Sequence, residues 1–384
     1  MSIAVMTPEP VAGAPSLKRV EHLRGLALRA LPRMVTRSGF FGWCIRRGRS
    51  GDRLEGESLR YTAIVLIGLS AQKQDVSGRI LGAGGSDACC DRLIDRLPRM
   101  NNIGDVALTL WAAVSLRRRN AAAALERLKA LSPVERPCPT VELSWVVSAL
   151  SFHPEFLTDE KLARAAAKRL KGAFHPDSAL FSHHAPGTRA GFFREHVSCF
   201  ADWVYPVQAL SLYHEMTRDA EAAQSARASA AKMVSLQGPA GQWWWHYDVR
   251  TGRVVEPYPV YAVHQDGMAP MALLDLKDRC GADHTVAMMK GVDWLYEAPE
   301  CGSRLVDDEA GLIWRKVARY EPNKWVRGMQ AAASRMHPAL RVPGTGVLFP
   351  ARRIDWECRP YHLGWLLYAF SDRRVEAWGL GKAE

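Results

Sequence analysis

Four groups of residues in the second half of the chain bring together side chains able to do chemistry. The first is Arg194, Glu195, His196 and Asp202, and the second is His246, Asp248, Glu256 and Tyr258, preceded by Trp243, Trp244 and Trp245. The third is Tyr261, His264, Gln265 and Asp266, and the last is Glu357, Arg359, Tyr361 and His362. Carboxylates, imidazoles, phenols and guanidiniums beside a run of indoles suit sugar chemistry. Cleaving a glycosidic bond takes two carboxyl groups, one protonated to expel the leaving group and one ionised to act on water or the anomeric carbon. Removing the C5 proton of a uronic acid takes a base such as His or Tyr, with Arg to neutralise the carboxylate as the proton leaves. Indole faces stack on the apolar side of a pyranose. On this reading His264 or His196 is the base. Asp266, Asp202 and Asp248 take acid or nucleophile roles, and Tyr361 stands beside them. Trp243, Trp244, Trp245, His246, Tyr258, Gln265, Arg359 and His362 contact substrate, with Arg359 meeting its charge.

Plainer uses compete for the same residues. Asp is a good helix N-cap, so Asp202, His264 and Asp266 fit helix starts, and Glu357 fits as an ion-pair partner for Arg359. Three consecutive Trp on a strand cannot all face one side, so at least one belongs to the core. His183 and His184 fall in a loop and are given no role.

The elements that must position these groups repeat along the chain. Six segments are apolar on nearly every face, as helices buried all round must be. They begin at Leu59 (LRYTAIVLIGLS), Asn102 (NIGDVALTLWAAV), Thr140 (TVELSWVVSAL), Phe200 (FADWVYPVQALSLY), His264 (HQDGMAPMALLDL) and Pro360 (PYHLGWLLYAF). Each follows a more charged, amphipathic segment: Leu17 to Val35, Asp87 to Leu97, Arg117 to Leu131, Asp159 to Ala173, Asp219 to Leu236 and His284 to Tyr296. Alternation of outer and inner helices six times predicts an all-α ring of six helical hairpins, an (α/α)6 toroid. Insertions Phe174 to Cys199, Gln237 to Val263 and Ala298 to Arg359 carry strand and turn signals. Two hairpins are expected there, turning at Thr251-Gly252 and Ala310-Gly311, on the rim where function concentrates.

This organisation resembles the α/α-toroid superfamily across nearly the whole chain, a group that includes six-hairpin glycosidases, polysaccharide lyases, sugar epimerases, terpene cyclases and lanthionine cyclases. Gln237-Gly-Pro-Ala-Gly241-Gln-Trp243 is similar to the Q-x-x-x-G-x-W element of squalene and oxidosqualene cyclases, where it clasps hairpins together; the resemblance implies packing at this position. The acidic motifs of terpene cyclases, D-x-D-D and D-D-x-x-D, are absent, and Asp307-Asp308-Glu309 reads as a solvated turn. The lanthionine cyclases hold zinc with two Cys and one His. Cys199, Cys358 and His362 sit at inner-helix starts, but that family's C-H-G element is missing, and no metal or other cofactor is expected.

Composition narrows the rest. The chain has 384 residues and a formal net charge of +11, which favours an anionic substrate over a neutral one; no zinc-finger spacing or RNA-binding sheet motif points to nucleic acid. Thirteen Trp is a high count and fits cores, sugar platforms or hydrocarbon pockets. Residues 1–14 read as a floppy tail and 15–384 as one toroid domain. With no signal-like start, no membrane-spanning run and scattered cysteines, the expectation is a soluble, cytoplasmic protein. The basic first helix is suited to weak contact with an anionic membrane surface, although an outer toroid helix accounts for it. The function expected is a carbohydrate-active hydrolase, lyase or epimerase. The alternatives are a terpene-cyclase-like enzyme with an aromatic cavity, or a non-catalytic toroid that binds a glycan, lipid or protein.

Overall fold

The computed structural model describes residues 14–188 and 194–379. Of the expected tail, all but Ala14, which opens the first helix, lies outside the described residues.

Twelve helices, numbered here in chain order, form the ring. The outer ones are α1 (Ala14–Ala30), α3 (Gly85–Ile94), α5 (Ala121–Ala130), α7 (Glu160–Lys171), α9 (Ala220–Ser235) and α11 (Thr285–Glu297). The inner ones are α2 (Leu59–Ser70), α4 (Ile103–Ser115), α6 (Thr140–Ser151), α8 (Ala201–Thr217), α10 (Ala269–Cys280) and α12 (Pro360–Ala369). Each inner helix packs on the next, and α12 returns to pack on α2, so the ring closes. The fold is an all-α (α/α)6 toroid. Closure explains the sequence pattern, because an inner helix meets ring neighbours on two sides and an outer helix on a third, leaving no face for a polar stripe. Helix α7 shows the opposite case: it buries Ala163, Ala166, Ala167 and Leu170 and turns its Lys and Arg outward.

The seam between α2 and α12 is unusually close. A Cβ added at Gly68 would stand 2.2 Å from the carbonyl oxygen of Gly364, and one at Gly364 would stand 2.9 Å from that of Ile64. Only two glycines allow this backbone approach. The bore is plugged, not open: Trp111 meets Trp365 at 5.5 Å, and Tyr205 meets Trp145 at 5.2 Å and Trp365 at 5.9 Å. Below this plug a buried network closes the far end. Asp275 accepts from Tyr368 Oη at 2.9 Å, Arg374 at 2.7 Å and Arg279 at 3.0 Å. A cavity of about 900 Å³ opens at that end, among Lys73, His153, Arg279 and Arg373.

Several elements differ from expectation. Helix α1 stops at Ala30 and gives way to a 3-10 turn over Leu31–Met34, where Pro32 removes a backbone donor. Helix α5 starts at Ala121, after Arg117 in the left-handed region at φ 52°. Four further helices among the described residues, Gln74–Leu81, Trp325–Met336, Thr345–Leu348 and Asp372–Ala377, were not evident in the pattern. Inner helix α10 is preceded by a π-helical turn over His264–Met268. The three indoles precede a strand instead of lying in one: strands His246–Asp248 and Arg253–Glu256 pair, with Gly252 at φ 66° in the turn. The second hairpin pairs Leu312 with Asp307 and Ile313 with Val306 around Gly311, as the sequence suggests.

The Gln237–Trp243 element does clasp hairpins. Gln237 Nε2 donates to the carbonyls of Gly241 (2.9 Å) and Ala287 (2.8 Å), tying the end of α9 to α11.

Candidate active site

All six inner helices start at the same mouth of the ring, and the insertions enter there. The first turns of α2, α4 and α6 supply a connected polar set. Arg60 bonds Asp105 at 2.5 Å and Asn102 at 2.9 Å, Asn102 donates to Glu142 at 2.9 Å, and the Arg60 guanidinium lies 5.3 Å from the Trp145 ring. Asn102 is also the N-cap of α4, accepting from Asp105 N, so its side chain is fixed before any ligand arrives.

Across the α2–α12 seam, Arg359 donates to Tyr61 Oη at 2.9 Å and to Glu357 at 2.8 and 2.9 Å. Glu357 is further held by Arg315 at 3.0 Å and Arg46 at 2.5 Å. Three guanidiniums on one carboxylate outweigh its burial and hold it below the usual carboxylate range. Tyr61 lies between Trp43 (4.8 Å) and Tyr361 (4.6 Å), and Arg359 lies 4.9 Å from the Trp43 ring. Burial raises the Tyr361 phenol, with Tyr61 adding to the effect, so it stays neutral. Lys316 and Arg315 stand 5.3 and 5.4 Å from the Tyr261 ring; burial and then Arg315 push the Lys316 ammonium down. This side of the mouth is aromatic and cationic.

The fourth hairpin places an acid–imidazole pair at the mouth. Asp202, in the first turn of α8, is fully enclosed; its Oδ2 accepts from His183 Nδ1 at 2.9 Å and from the Cys199 backbone N–H at 2.7 Å. Its Oδ1 is buried and has no partner among the described residues. The His183 side chain is 46% exposed, and the Asp202 carboxylate raises its pKa. His183 is fixed by its backbone, since its carbonyl accepts from Thr140 N at the start of α6. His183, Cys199 and Asp202 are also the group among the described residues whose ligand-type atoms lie within 4.8 Å of one another. Burial, then Asp202, pushes the Cys199 thiol well up, so it stays neutral beside that carboxylate.

Beside the pair, Arg194 donates to His246 Nε2 at 3.3 Å. Burial, then the Arg194 charge, pushes His246 well down, so the ring is neutral and can accept. Among the described residues no carboxylate pairs with Arg194, and burial lowers its pKa too.

The second acid–imidazole pair is enclosed. Asp266 accepts from His362 Nε2 at 2.6 Å, and both side chains are nearly solvent-free. Burial raises Asp266, with His362 acting in the other direction. His264 is sandwiched between Phe200 (4.2 Å) and Trp245 (5.4 Å) and pushed well below its ordinary value by burial and by His362. These three residues lie beneath the mouth surface.

The remaining expected residues divide. Tyr361, Arg359 and Trp245 reach the mouth, and Trp245 packs on Tyr261 at 4.8 Å. Trp243 is in the core, 5.6 Å from Trp203. Gln265 is buried and spans Trp243 N and the Tyr261 carbonyl. Tyr258 and Trp244 pack on each other at 5.9 Å, with Tyr258 Oη directed to Glu300. Asp248 gives both oxygens to Arg250, and His196 bonds Ser334 at 2.8 Å, so both brace the insertion carrying the helix Trp325–Met336. Cys358 pairs by strand with Ile45, and the Cys199, Cys358 and His362 trio does not form one ligand group.

The sequence reading missed Arg60, Tyr61, Asn102 and Glu142, and assigned His183 nothing. The signal for the first four was positional: each lies at or near the start of an apolar segment.

The sequence matches no family model and no curated protein. Solved structures do resemble it. An unsaturated glucuronyl hydrolase specific for heparin is 14% identical, with a TM-score of 0.59 covering 96% of this chain and 99% of that one. Cellobiose 2-epimerase from Bacillus thermoamylovorans B4167 is 11% identical at TM-score 0.60, covering 94% of this chain and 100% of the other. A possible member of the GH105 family from Klebsiella pneumoniae is 12% identical at TM-score 0.57, covering 98% of this chain and 97% of that one. These are α/α toroids along their whole length. At such identities the likeness is one of fold.

Proposed function

We propose that the chain is a carbohydrate-active enzyme, a hydrolase, lyase or epimerase, acting on an oligosaccharide that carries an anionic group. The observation that carries this reading is the His183–Asp202 pair at the ring mouth. Asp202 accepts from Nδ1–H, which leaves Nε2 as the position that exchanges a proton with a ligand. Asp202 raises the pKa and so favours the protonated ring, which serves as acid towards a glycosidic or ring oxygen, or as base once deprotonated. The Cys199 N–H fixes the carboxylate that orients it. Arg194, without a carboxylate partner among the described residues, offers its remaining N–H groups to a carboxylate, sulfate or phosphate on the sugar. Trp43, Trp245 and Tyr361 supply ring faces for pyranoses. The resemblance to a glucuronyl hydrolase and an epimerase supports a sugar substrate.

The test is turnover of a panel of neutral and uronic-acid disaccharides, saturated and unsaturated, read by reducing ends, ultraviolet absorbance and chromatography of epimers. Turnover of an anionic member is expected, falling about 10²–10⁴-fold in His183→Asn. Full activity of that variant would remove His183 from the chemistry, and turnover of neutral sugars alone would remove the anionic group.

A further inference from the structure

The large apolar side chains that face solvent are concentrated in the last insertion. Trp325, Met329, Met336, Leu340, Val347 and Leu348 are all exposed there, Val347 by 85% and Met336 by 76%. Three of them line one helix. With about 100° per residue, Trp325, Met329 and Met336 fall within about 40° of arc on the helix Trp325–Met336, while Val326, Gln330, Ala331 and Ser334 face inward. The inward face is anchored. Arg250 donates to the Ser334 carbonyl at 2.6 Å, Gln330 exchanges two hydrogen bonds with the Val342 backbone, and Arg319 donates to the Phe349 carbonyl at 3.0 Å. The exposed stripe is therefore held outward by a structured segment.

Its own side chains carry only positive charge, of which Arg327 is met by Glu321 and Arg335 by Glu195. Between Pro322 and Ile354 the chain has Lys324, Arg327, Arg335, Arg341, Arg352 and Arg353 and no Asp or Glu. Lys324, Arg352 and Arg353 are exposed, and among the described residues no carboxylate pairs with them. The basic first helix differs in part: Arg19 pairs with Asp293 and Arg24 with Asp372, which takes up half of its four cations within the fold.

We propose that this insertion is a docking surface for an anionic lipid bilayer, with the apolar stripe entering the boundary between headgroups and acyl chains and the free cations meeting lipid phosphates. The combination of an apolar face, exposed Trp and cations without acids is what interfacial binding requires. No described helix is long and apolar enough to cross a membrane, so the contact is interfacial. A two-fold pairing with a second copy would set the same cations against each other and is disfavoured by that repulsion.

The test uses the full chain sedimented with vesicles of phosphatidylcholine alone or mixed with phosphatidylglycerol. Binding to the mixed vesicles, weakened by salt, is expected. At roughly 1 kcal/mol per basic residue near the surface, Arg352→Gln with Arg353→Gln lowers the partition coefficient about 30-fold. Met336→Ser with Val347→Ser and Leu348→Ser abolishes binding, and both sets, being on the surface, leave the melting temperature unchanged. No sedimentation with either vesicle would overturn the proposal, as would binding to neutral vesicles that the arginine variant does not alter. So would a dimer, seen by light scattering, that the apolar variant dissociates. None of these readouts depends on turnover, so they stand apart from the carbohydrate reading.

Discussion

Replacing Gly68 by alanine tests ring closure at its narrowest point. The new Cβ would lie 2.2 Å from the Gly364 carbonyl oxygen and 2.9 Å from its carbonyl carbon. Both atoms are backbone, so no side chain can swing away. Restoring a tolerable contact of about 3.2 Å requires α2 and α12 to part by roughly 1 Å. Overpacking of this kind costs about 1–3 kcal/mol, and the upper end applies because two whole helices must move. The movement reaches function, because the Arg359–Tyr61 hydrogen bond at the mouth spans the same two helices. The assay is urea unfolding of wild type, Gly68→Ala, Gly364→Ala and the double variant. One displacement relieves both clashes, so the double variant is expected to cost much less than the sum of the singles. A Gly68→Ala midpoint within about 0.5 kcal/mol of wild type would refute the reasoning, as would strict additivity.

In the clasp, Gln237→Ala removes one hydrogen bond to α11, at Ala287, and one within the clasp, at Gly241, and is expected to cost about 1–3 kcal/mol in urea unfolding. Gly241→Ala costs more, since its Cβ would meet the Lys290 carbonyl at 2.1 Å from a backbone at φ 102°. The His183–Asp202 pair predicts a pH signature. Because Asp202 raises His183 above 6.5, the pair's stabilisation is complete below 6.5 and lost as pH rises through the folded value; Asp202→Asn moves the His183 titration, followed by NMR, to lower pH. His264 has the opposite sign. It is buried neutral, so stability falls as pH drops below 6.5, by up to about 1.4 kcal/mol per pH unit, and His264→Phe flattens that part of the melting-temperature profile.

The chemistry of the mouth was unevenly legible. Asp202 could be picked out because a carboxylate opening an apolar helix stands out in one dimension. Its partner could not, since His183 lies 19 residues earlier in a loop that only the docking of α6 fixes. Asp266 and His264 looked equivalent to Asp202, yet the π-helical turn before α10 and the stacked Phe200 and Trp245 rings enclose them. Asp248 and His196 carried suitable groups, but Arg250 takes both Asp248 oxygens, and Ser334 of an insertion helix that the pattern did not show takes His196 Nε2.

By itself the sequence determined the twelve-helix alternation, because hydrophobic burial acts on every turn of a helix and leaves a periodic record along the chain. It also determined the clasp and the turns, where Gly and a bonding side chain act over a few residues. Only the tertiary structure decided which polar groups meet. Arg359 reaches Tyr61 across 298 residues because α12 closes onto α2, and His183 reaches Asp202 because two inner helices start at one mouth. Such pairings depend on distances set by ring closure, and no local free-energy preference encodes them.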